Sequence, residues 1–230
     1  MAKRMMTPPP ETELLTNEPA GSAEATLVLA HGAGGGMESH PLNSLAESIA
    51  QAGIRVVRFE FPYMYARRNQ GRRKPPDSTE VLLQTWHEVI EQLGGGKGLF
   101  IGGKSMGGRM ASMVADEAGV RGLVCLGYPF HPPGKPQQLR IEHLELLKTP
   151  AAIVQGERDL FGTPQEVASY PALKADTYPL DCGWRPLFQA AQRVRPNRTA
   201  ESRRDCHVRG GVCLGLTPNA RAKRLAYALC

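Results

Sequence analysis

One stretch, GLFIGGKSMGGRMA at residues 98–111, constrains the fold of this chain more than any other. Its letters LFI form a short apolar run typical of a buried strand, and a helical pattern begins at Met106. Between them, Gly103 to Gly107 spell G-x-S-x-G around Ser105. A serine on such a sharp strand-to-helix turn has a strained backbone and a raised hydroxyl, and flanking glycines avoid steric clashes. We therefore predict Ser105 as a nucleophile, with the N–H of Met106 at the helix start as a donor to an oxyanion.

The same letters also match a phosphate-binding motif. Gly98 to Ser105 spell G-x-x-x-x-G-K-S, the pattern of a P-loop. A P-loop needs its strand before the first glycine and a flexible loop between the two glycines. The segment before Gly98 instead has helical spacing, and the would-be loop LFI is the best candidate for a strand. We therefore favour the serine turn and keep a P-loop NTPase as the less favoured alternative.

A glycine-rich loop follows an earlier apolar strand. The strand ATLVLA, Ala25–Ala30, runs directly into the letters HGAGGG. Small residues let backbone N–H groups approach a substrate carbonyl, and G-x-S-x-G hydrolases take their second oxyanion donor from such a loop. We expect the N–H of Ala33 to form an oxyanion hole together with that of Met106. The alternative is a glycine-rich loop of a nucleotide-binding fold.

An aspartate follows a later apolar strand. Asp159 comes shortly after Ala151–Gln155, and the carboxyl ends of strands carry the sites of open α/β sheets. Triads on G-x-S-x-G folds follow the chain order serine, acid, histidine. Asp159 is downstream of Ser105, so we predict it as the triad acid. Its alternative role is that of a turn or N-cap residue before Thr163.

Strands and helices alternate along most of the chain. This alternation predicts the α/β class, with a mostly parallel central sheet and helices on both faces. Residues 1–24 are predicted to be a flexible segment with an edge strand near Thr12–Leu15, and residues 25–180 to be the domain. Ser78 is the expected N-cap of a helix that ends at Leu93. Pro62–Asp77 is expected to be a long polar loop.

Four motifs appear in order: LVLAHGAGGGMESHPL, RVVRFEFPYMYARR, GGKSMGGRMAS and VQGERDLFG. Together they resemble the bacterial KANL/Tex-type α/β-hydrolase-like proteins, which are relatives of dienelactone hydrolase. The resemblance covers about residues 25–167 and implies the α/β-hydrolase fold, with Ser105 as nucleophile and Asp159 as acid. It implies no particular substrate, because the activities of that group are poorly defined.

The chain departs from that group at the histidine. The relatives close the triad with a histidine in a Gly-Asp-His loop after the last strand, whereas the only histidine after Asp159 here is His207. No apolar strand leads into His207, so no rigid element would aim its ring. His207 is therefore a fallback for the general base, and we otherwise expect it to be a tail residue.

Residues 181–230 differ in composition from the rest of the chain. They carry ten basic and three acidic residues, a net charge of +7, whereas residues 1–180 carry 18 basic and 19 acidic residues. Four of the five cysteines also lie there. We expect an irregular basic tail without strand periodicity before Ala222, of the kind that occurs in genuine interaction tails.

A frame shift would also account for this tail. Residues 183–189, GWRPLFQ, can be encoded as GGA TGG CGA CCA CTC TTT CAA. Read one base later, these bases give Asp-Gly-Asp-His-Ser-Phe, which contains the Gly-Asp-His of the relatives. In this interpretation the C-terminal part of the domain is incomplete and the catalytic histidine is lost from the chain as written.

The remaining features set expectations for partners and location. The basic segment Arg67–Lys74 has no interleaved aromatic residues, so a solvated loop is favoured over a nucleic-acid site. No apolar stretch approaches a membrane span, and Met1–Leu15 lacks the apolar run of a signal peptide, which predicts a soluble cytoplasmic protein. No metal or cofactor is expected, because Cys206, His207 and Cys213 lack zinc-site spacing.

These observations together predict a serine-nucleophile hydrolase. It would hydrolyse a small-molecule ester or thioester by Ser-Asp-His chemistry, impaired in this chain by the loss of the histidine. The main alternative is a non-catalytic scaffold of the same fold, which would bind acidic partners through its basic loop and tail.

Overall fold

A computed structural model of the protein describes residues 11–71 and 74–170, together with the backbone of two strands at 180–181 and 211–216. The strands are, in chain order, β1 (Leu14–Asn17), β2 (Ala25–Ala30), β3 (Ile54–Phe59), β4 (Leu99–Lys104), β5 (Gly122–Leu126), β6 (Ala151–Gly156), β7 (Leu180–Asp181) and β8 (Gly211–Leu216). The helices are α1 (His40–Gln51), α2 (Pro62–Gln70), α3 (Thr79–Gln92), α4 (Met106–Val114) and α5 (Pro164–Val167).

The strands form one sheet in the order β1-β3-β2-β4-β5-β6-β8-β7. The five central strands, which are β3, β2, β4, β5 and β6, run parallel to one another. β1 pairs antiparallel with β3 at one edge, and β8 pairs antiparallel with β6 near the other. Parallel strands are buried on both faces, which explains why β2 and β5 are almost continuously apolar. The predicted mostly parallel sheet is confirmed.

Helices cover both faces of this sheet. Along β4, Ile101 packs into a core shared with α3 and α4, whereas its neighbour Phe100 packs into a second core shared with α1. This alternation follows from the two-residue period of a strand. In the first core the buried Trp86 of α3 lies edge-on to Phe59 of β3, with ring centroids 4.9 Å apart. The sheet is therefore packed against helices on both faces, and the loops at its carboxyl end extend from this packed core.

The prediction of a polar loop at residues 62–77 is wrong for its first half, because residues 62–70 form helix α2. Pro62 stands in the first turn, where its missing N–H costs no hydrogen bond, and Gly71 ends the helix with a φ of 65°. The inner side of α2 buries Tyr63 and Met64. The outer side of α2 is rich in arginine, so the short apolar stripe on its inner side was not evident from the sequence. By contrast, α3 begins as expected at the N-cap Ser78.

Both ends of the chain add edge strands. The N-terminal strand expected near Thr12–Leu15 is found at Leu14–Asn17, where Leu14 lies opposite Phe59. The tail was expected to lack strand structure before Ala222, and this is wrong for β8, which pairs with β6 over six residues. β8 lies between β6 and β7 and is joined to both by main-chain hydrogen bonds, which do not depend on a side-chain pattern. The rest of the tail lies outside the described residues.

Candidate catalytic site

The sheet reverses its winding between β2 and β4. The chain passes from β2 to β3 on one side, whereas it passes from β4 to β5 on the other side. Loops at the carboxyl ends of two such neighbouring strands leave a crevice, and open α/β sheets bind their ligands there. These loops are residues 31–36 after β2 and the turn at Ser105 after β4. The fold therefore brings together two segments that the sequence singled out separately.

Ser105 occupies the turn between β4 and α4 in a strained conformation. Its φ of 51° is the only positive φ of a non-glycine residue within the described part of the chain. Such a conformation costs about 1–3 kcal/mol and persists only where its surroundings hold it. The Ser105 N–H donates to the carbonyl of Leu126 at 2.8 Å, and its carbonyl accepts from the N–H of Arg109 at 3.0 Å. The serine is partly exposed, at the mouth of the crevice.

The glycines around Ser105 are required by close backbone approaches. A Cβ at Gly103 would lie 2.6 Å from the carbonyl oxygen of Ala30, and a Cβ at Gly107 would lie 2.5 Å from that of His31. Real Cβ atoms are not found at these distances, so a larger residue at Gly103 would push β4 from β2, and one at Gly107 would push α4 from the end of β2. That this turn is a nucleophile elbow stays a prediction. The role of Ser105 as nucleophile stays a prediction.

The P-loop alternative is wrong. Residues 99–104 are strand β4, which pairs with β2 on one side and β5 on the other. No flexible loop therefore exists between Gly98 and Gly103 to surround a phosphate chain, and the required strand before Gly98 is replaced by helix α3 and a short 3-10 turn.

The loop after β2 lies directly against the Ser105 turn. A Cβ placed on Gly32 would be 3.3 Å from the carbonyl oxygen of Lys104 and 3.7 Å from Cβ of Ser105. Ala33 is exposed, and its N–H donates to no acceptor in the described part of the chain. The N–H of Met106 stands in the first turn of α4, where helical N–H groups have no partner within the helix. Both predicted oxyanion donors are thus free to bind a ligand.

The side chain of His31 holds the loop after β2 in place through hydrogen bonds. The residue is 1% exposed, and burial lowers the pKa of its imidazole to about 4, so the ring is neutral at pH 7. Nε2 accepts the N–H of Phe61 at 3.1 Å, which leaves Nδ1 to donate to the carbonyl of Gly32 at 2.8 Å. Both nitrogens of the ring are therefore used, and His31 is a structural residue of the loop. The sequence motif HGAGGG contains it without revealing this role.

Asp159 lies in the loop that follows β6, at the same end of the sheet as Ser105. Its Oδ1 accepts the N–H of Phe161 at 2.9 Å, and its Oδ2 lies 3.2 Å from a Cβ position built on Gly127. Burial raises the pKa of the Asp159 carboxyl, against the opposing effects of the Phe161 N–H, His131 and Lys104.

Gln155 holds the Asp159 loop and was not identified from the sequence. Its side chain is fully buried at the end of β6. Oε1 accepts the N–H of Tyr128 at 2.8 Å, and Nε2 donates to the carbonyl of Gly162 at 2.8 Å. One amide thus joins the loop after β5 to the loop that carries Asp159. A lone glutamine in the apolar strand AAIVQG was the signal that could have revealed it.

Two other histidines, the buried His131 and the partly buried His143, lie near the carboxyl end of β5. His131 shares a hydrogen bond between Nδ1 and the carbonyl of Pro132 at 2.9 Å, and its Nε2 lies 3.9 Å from a carboxylate oxygen of Glu166. His143 directs Nε2 to the hydroxyl of Ser112 at 2.8 Å, and burial lowers its pKa. His143 is thus paired with Ser112, whereas Nε2 of His131 is buried without a hydrogen-bond partner among the described residues.

No hydrogen bond within the described residues joins a histidine to Ser105 or to Asp159. His207, the fallback base, lies outside the described residues, so its role stays a prediction. The same part of the chain contains no group of three or more His, Cys, Asp and Glu side chains that could hold a metal ion. Nor does it contain a helix of the length and apolarity needed to cross a membrane.

Comparison with known proteins gives a consistent fold. A family model described as an alpha/beta hydrolase domain matches residues 23–180. An alpha-beta serine hydrolase homologue from Coxiella burnetii is 19% identical, with a TM-score of 0.52 over 67% of this chain and 73% of that one. A serine hydrolase without a lid from Xanthomonas campestris is 18% identical, with a TM-score of 0.51 over 67% of this chain and 70% of that one. At these identities the two structures establish the fold alone.

Proposed function

The chain belongs to the alpha/beta hydrolase domain family, and on that premise we propose that it is a serine-nucleophile hydrolase of small esters or thioesters. The observation that carries the proposal is the strained turn at Ser105, which has a positive φ and is flanked by Gly103 and Gly107, where a Cβ would have no room. A fold maintains such strain where it serves a site. The crevice beside this turn supplies two free backbone donors, from Ala33 and Met106.

The proposed reaction is acyl transfer to water through the serine. The hydroxyl oxygen of Ser105 attacks the substrate carbonyl carbon while its proton passes to a histidine. The negative charge formed on the carbonyl oxygen is stabilised by the N–H groups of Ala33 and Met106. The alcohol or thiol leaves with that proton, and water then releases the acyl group by the same route. Asp159 orients the histidine and stabilises its positive charge.

We further propose that turnover is impaired in the chain as written. No described histidine is hydrogen-bonded to Ser105 or Asp159, and a serine hydroxyl is a weak nucleophile without an adjacent base. The family match ends at residue 180, where the charge balance also changes. Both observations support the interpretation of residues 181–230 as a frame-shift product. Sequencing the gene around codons 180–184 tests this directly, since a clean read in a single frame would contradict it.

A fluorophosphonate probe tests the nucleophile. We compare the chain as written with a restored chain, in which the codons from residue 183 onward are read in the alternative frame. We expect strong labelling of the restored chain, loss of labelling in Ser105→Ala, and no loss in the control Ser112→Ala, because Ser112 is buried. The chain as written should label weakly. A restored, folded chain that stays unlabelled would contradict the hydrolase proposal.

A binding scaffold of the same fold is the second candidate. It is favoured because no described histidine is hydrogen-bonded to Ser105 or Asp159, and a crevice without a base would bind ligands without cleaving them. Salt-dependent retention on heparin, together with a restored chain that has no esterase activity, would support the scaffold.

We also propose that the protein is cytoplasmic, whichever of these two functions it has.

A further inference from the structure

The hydroxyl of Tyr63 lies between two carbonyl oxygens of the loop after β2. Tyr63 belongs to helix α2 and is 1% exposed. Its hydroxyl oxygen is 3.4 Å from the carbonyl oxygen of Gly32 and 3.3 Å from that of Ala33. A tyrosine hydroxyl has one proton to share between them, so both distances exceed the ~2.7 Å of a simple O–H···O bond. Tyr63 therefore contacts both of the peptide units that flank Ala33.

The hydroxyl of Tyr63 is the donor in these contacts. Carbonyl oxygens accept and cannot donate, so the hydroxyl must keep its proton in order to bind them. Burial raises the pKa of Tyr63 to about 12, and the carboxylate of Asp77 acts in the same direction. The hydroxyl is thus protonated at pH 7.

Tyr63 is itself held in place at the start of α2. Its backbone N–H, which has no partner within the helix, donates to Oδ2 of Asp77 at 2.7 Å. Its ring lies edge-on to the imidazole of His31, with ring centroids 5.8 Å apart. A contact from the segment before α3 and a buried ring therefore fix the position from which the hydroxyl donates.

Two donors meet at the carbonyl of Gly32, the hydroxyl of Tyr63 and Nδ1 of His31. The peptide between Gly32 and Ala33 is trans, so its N–H points in the direction opposite to its carbonyl. The carbonyl faces the two buried rings, and the N–H of Ala33 therefore faces away from them. Ala33 is exposed, and Gly32 lies against the Ser105 turn. The direction of this N–H is thus set by contacts at the other end of the same peptide.

Tyr63 adds a constraint that His31 cannot supply. A peptide held at one oxygen can still rotate about that contact, whereas Tyr63 also holds the carbonyl of Ala33, in the next peptide. Donors that are already oriented stabilise an oxyanion most, because they need no reorganisation during the reaction. We propose that Tyr63 is a positioning residue of the catalytic site, which holds the backbone of Ala33 with its N–H directed at the oxyanion. The inference rests on the proposed hydrolase function and adds to it a residue that acts through the backbone.

The carbonyl carbon NMR resonances of the loop test the contact itself in the full chain as written. Tyr63→Phe removes the hydroxyl and keeps the ring, and His31 still donates to Gly32, so we expect this variant to fold. The resonances of Gly32 and Ala33 should move upfield in it, because a carbonyl that loses a hydrogen bond is less polarised. Tyr65→Phe, a change at a 49% exposed position of the same helix, is the matched control and should leave them in place. Unchanged resonances in Tyr63→Phe, or equal shifts in both variants, would overturn the inference.

Hydrolysis of 4-nitrophenyl butyrate by the restored chain tests the consequence for the reaction. Removing a whole oxyanion donor costs about 10²–10³ in kcat, and a misdirected donor should cost less, so we expect kcat to fall about tenfold in Tyr63→Phe with little change in KM. Tyr65→Phe should keep both constants. If kcat per fluorophosphonate-labelled site is unchanged in Tyr63→Phe, the positioning role is refuted and the hydrolase stands. A folded restored wild type that does not hydrolyse the ester would instead refute the hydrolase, and this inference with it.

Discussion

The imidazole of His31 accepts the backbone N–H of Phe61 at 3.1 Å, and so ties the loop after β2 to the loop after β3. This bond requires the neutral ring, because a protonated imidazole has no acceptor. The stability of the carboxyl end of the sheet is thereby linked to pH through one buried residue.

The first prediction concerns that linkage. Burial lowers the pKa of His31 to about 4, below its ordinary value, so the unfolded chain binds more protons than the folded one between these two values. The contribution of neutral His31 is fully present above pH ~6.5 and is lost as the pH falls towards 4, at about 1.4 kcal/mol per pH unit at most. Urea unfolding at pH 7 and pH 5 should show a smaller pH dependence in His31→Asn than in wild type. The exposed His40, changed to Asn, is the control, and an equal dependence in all three proteins would contradict the prediction.

The second prediction concerns the contact between β2 and α4. Gly107→Ala places a Cβ where the carbonyl oxygen of His31 now lies 2.5 Å away, so strand and helix must separate. We expect the free energy of unfolding to fall by about 1–3 kcal/mol, as in other overpacked sites. Gly98→Ala is the matched control, because no atom lies within 4 Å of its Cβ position and its φ is ordinary. Equal melting temperatures for the two variants would refute the close approach.

The third prediction concerns the clamp at Gln155. Gln155→Ala leaves the N–H of Tyr128 and the carbonyl of Gly162 buried without partners, which should cost about 1–3 kcal/mol for each group that finds no water. Gln84→Ala, which removes only an exposed hydrogen bond to Glu88, should change stability by less than about 0.5 kcal/mol. Urea unfolding measures both. Amide exchange at Phe161 and Gly162 should also accelerate in Gln155→Ala, and unchanged exchange there would argue against the clamp.

The fourth prediction concerns the acid. In the restored chain, Asp159→Asn keeps an oxygen to accept the N–H of Phe161 but loses the charge that orients a histidine. By analogy with other triads, we expect kcat to fall by about 10⁴ with little change in KM. Glu157→Gln, an exposed change in the same loop, should leave both constants unaltered. A fall of less than tenfold would assign Asp159 to the turn alone.

The parts of the fold that were predictable are those specified by local residue types. The strand, Ser105 turn and helix follow from apolar runs and from glycines a few residues apart, and α3 follows from its N-cap at Ser78. The order of the motifs also placed the loop after β2 and Asp159 at one end of the sheet. Local sterics and capping act over one or two turns of chain, so one sequence suffices to reveal them.

The parts that were missed depend on distant partners. His31 and Gln155 bond to backbone groups about 30 residues away, and neither partner is distinguishable in the sequence. Helix α2 carries too many arginines for its apolar side to be evident, and the pairing of Arg68 with three glutamates arises only in the folded chain. The contacts of Tyr63 have the same origin, since its hydroxyl meets backbone groups about 30 residues away.

Strand β1 has a practical consequence for where the protein can be shortened. A version that begins at Ala25, the first residue of the domain expected from the sequence, would lack the strand that covers β3. Its open edge would present unpaired backbone groups to other molecules, which is a common cause of aggregation. It would also lose Glu13 from the carboxylates around Arg68. Trimmed versions intended for crystallisation should therefore keep residues 11–24.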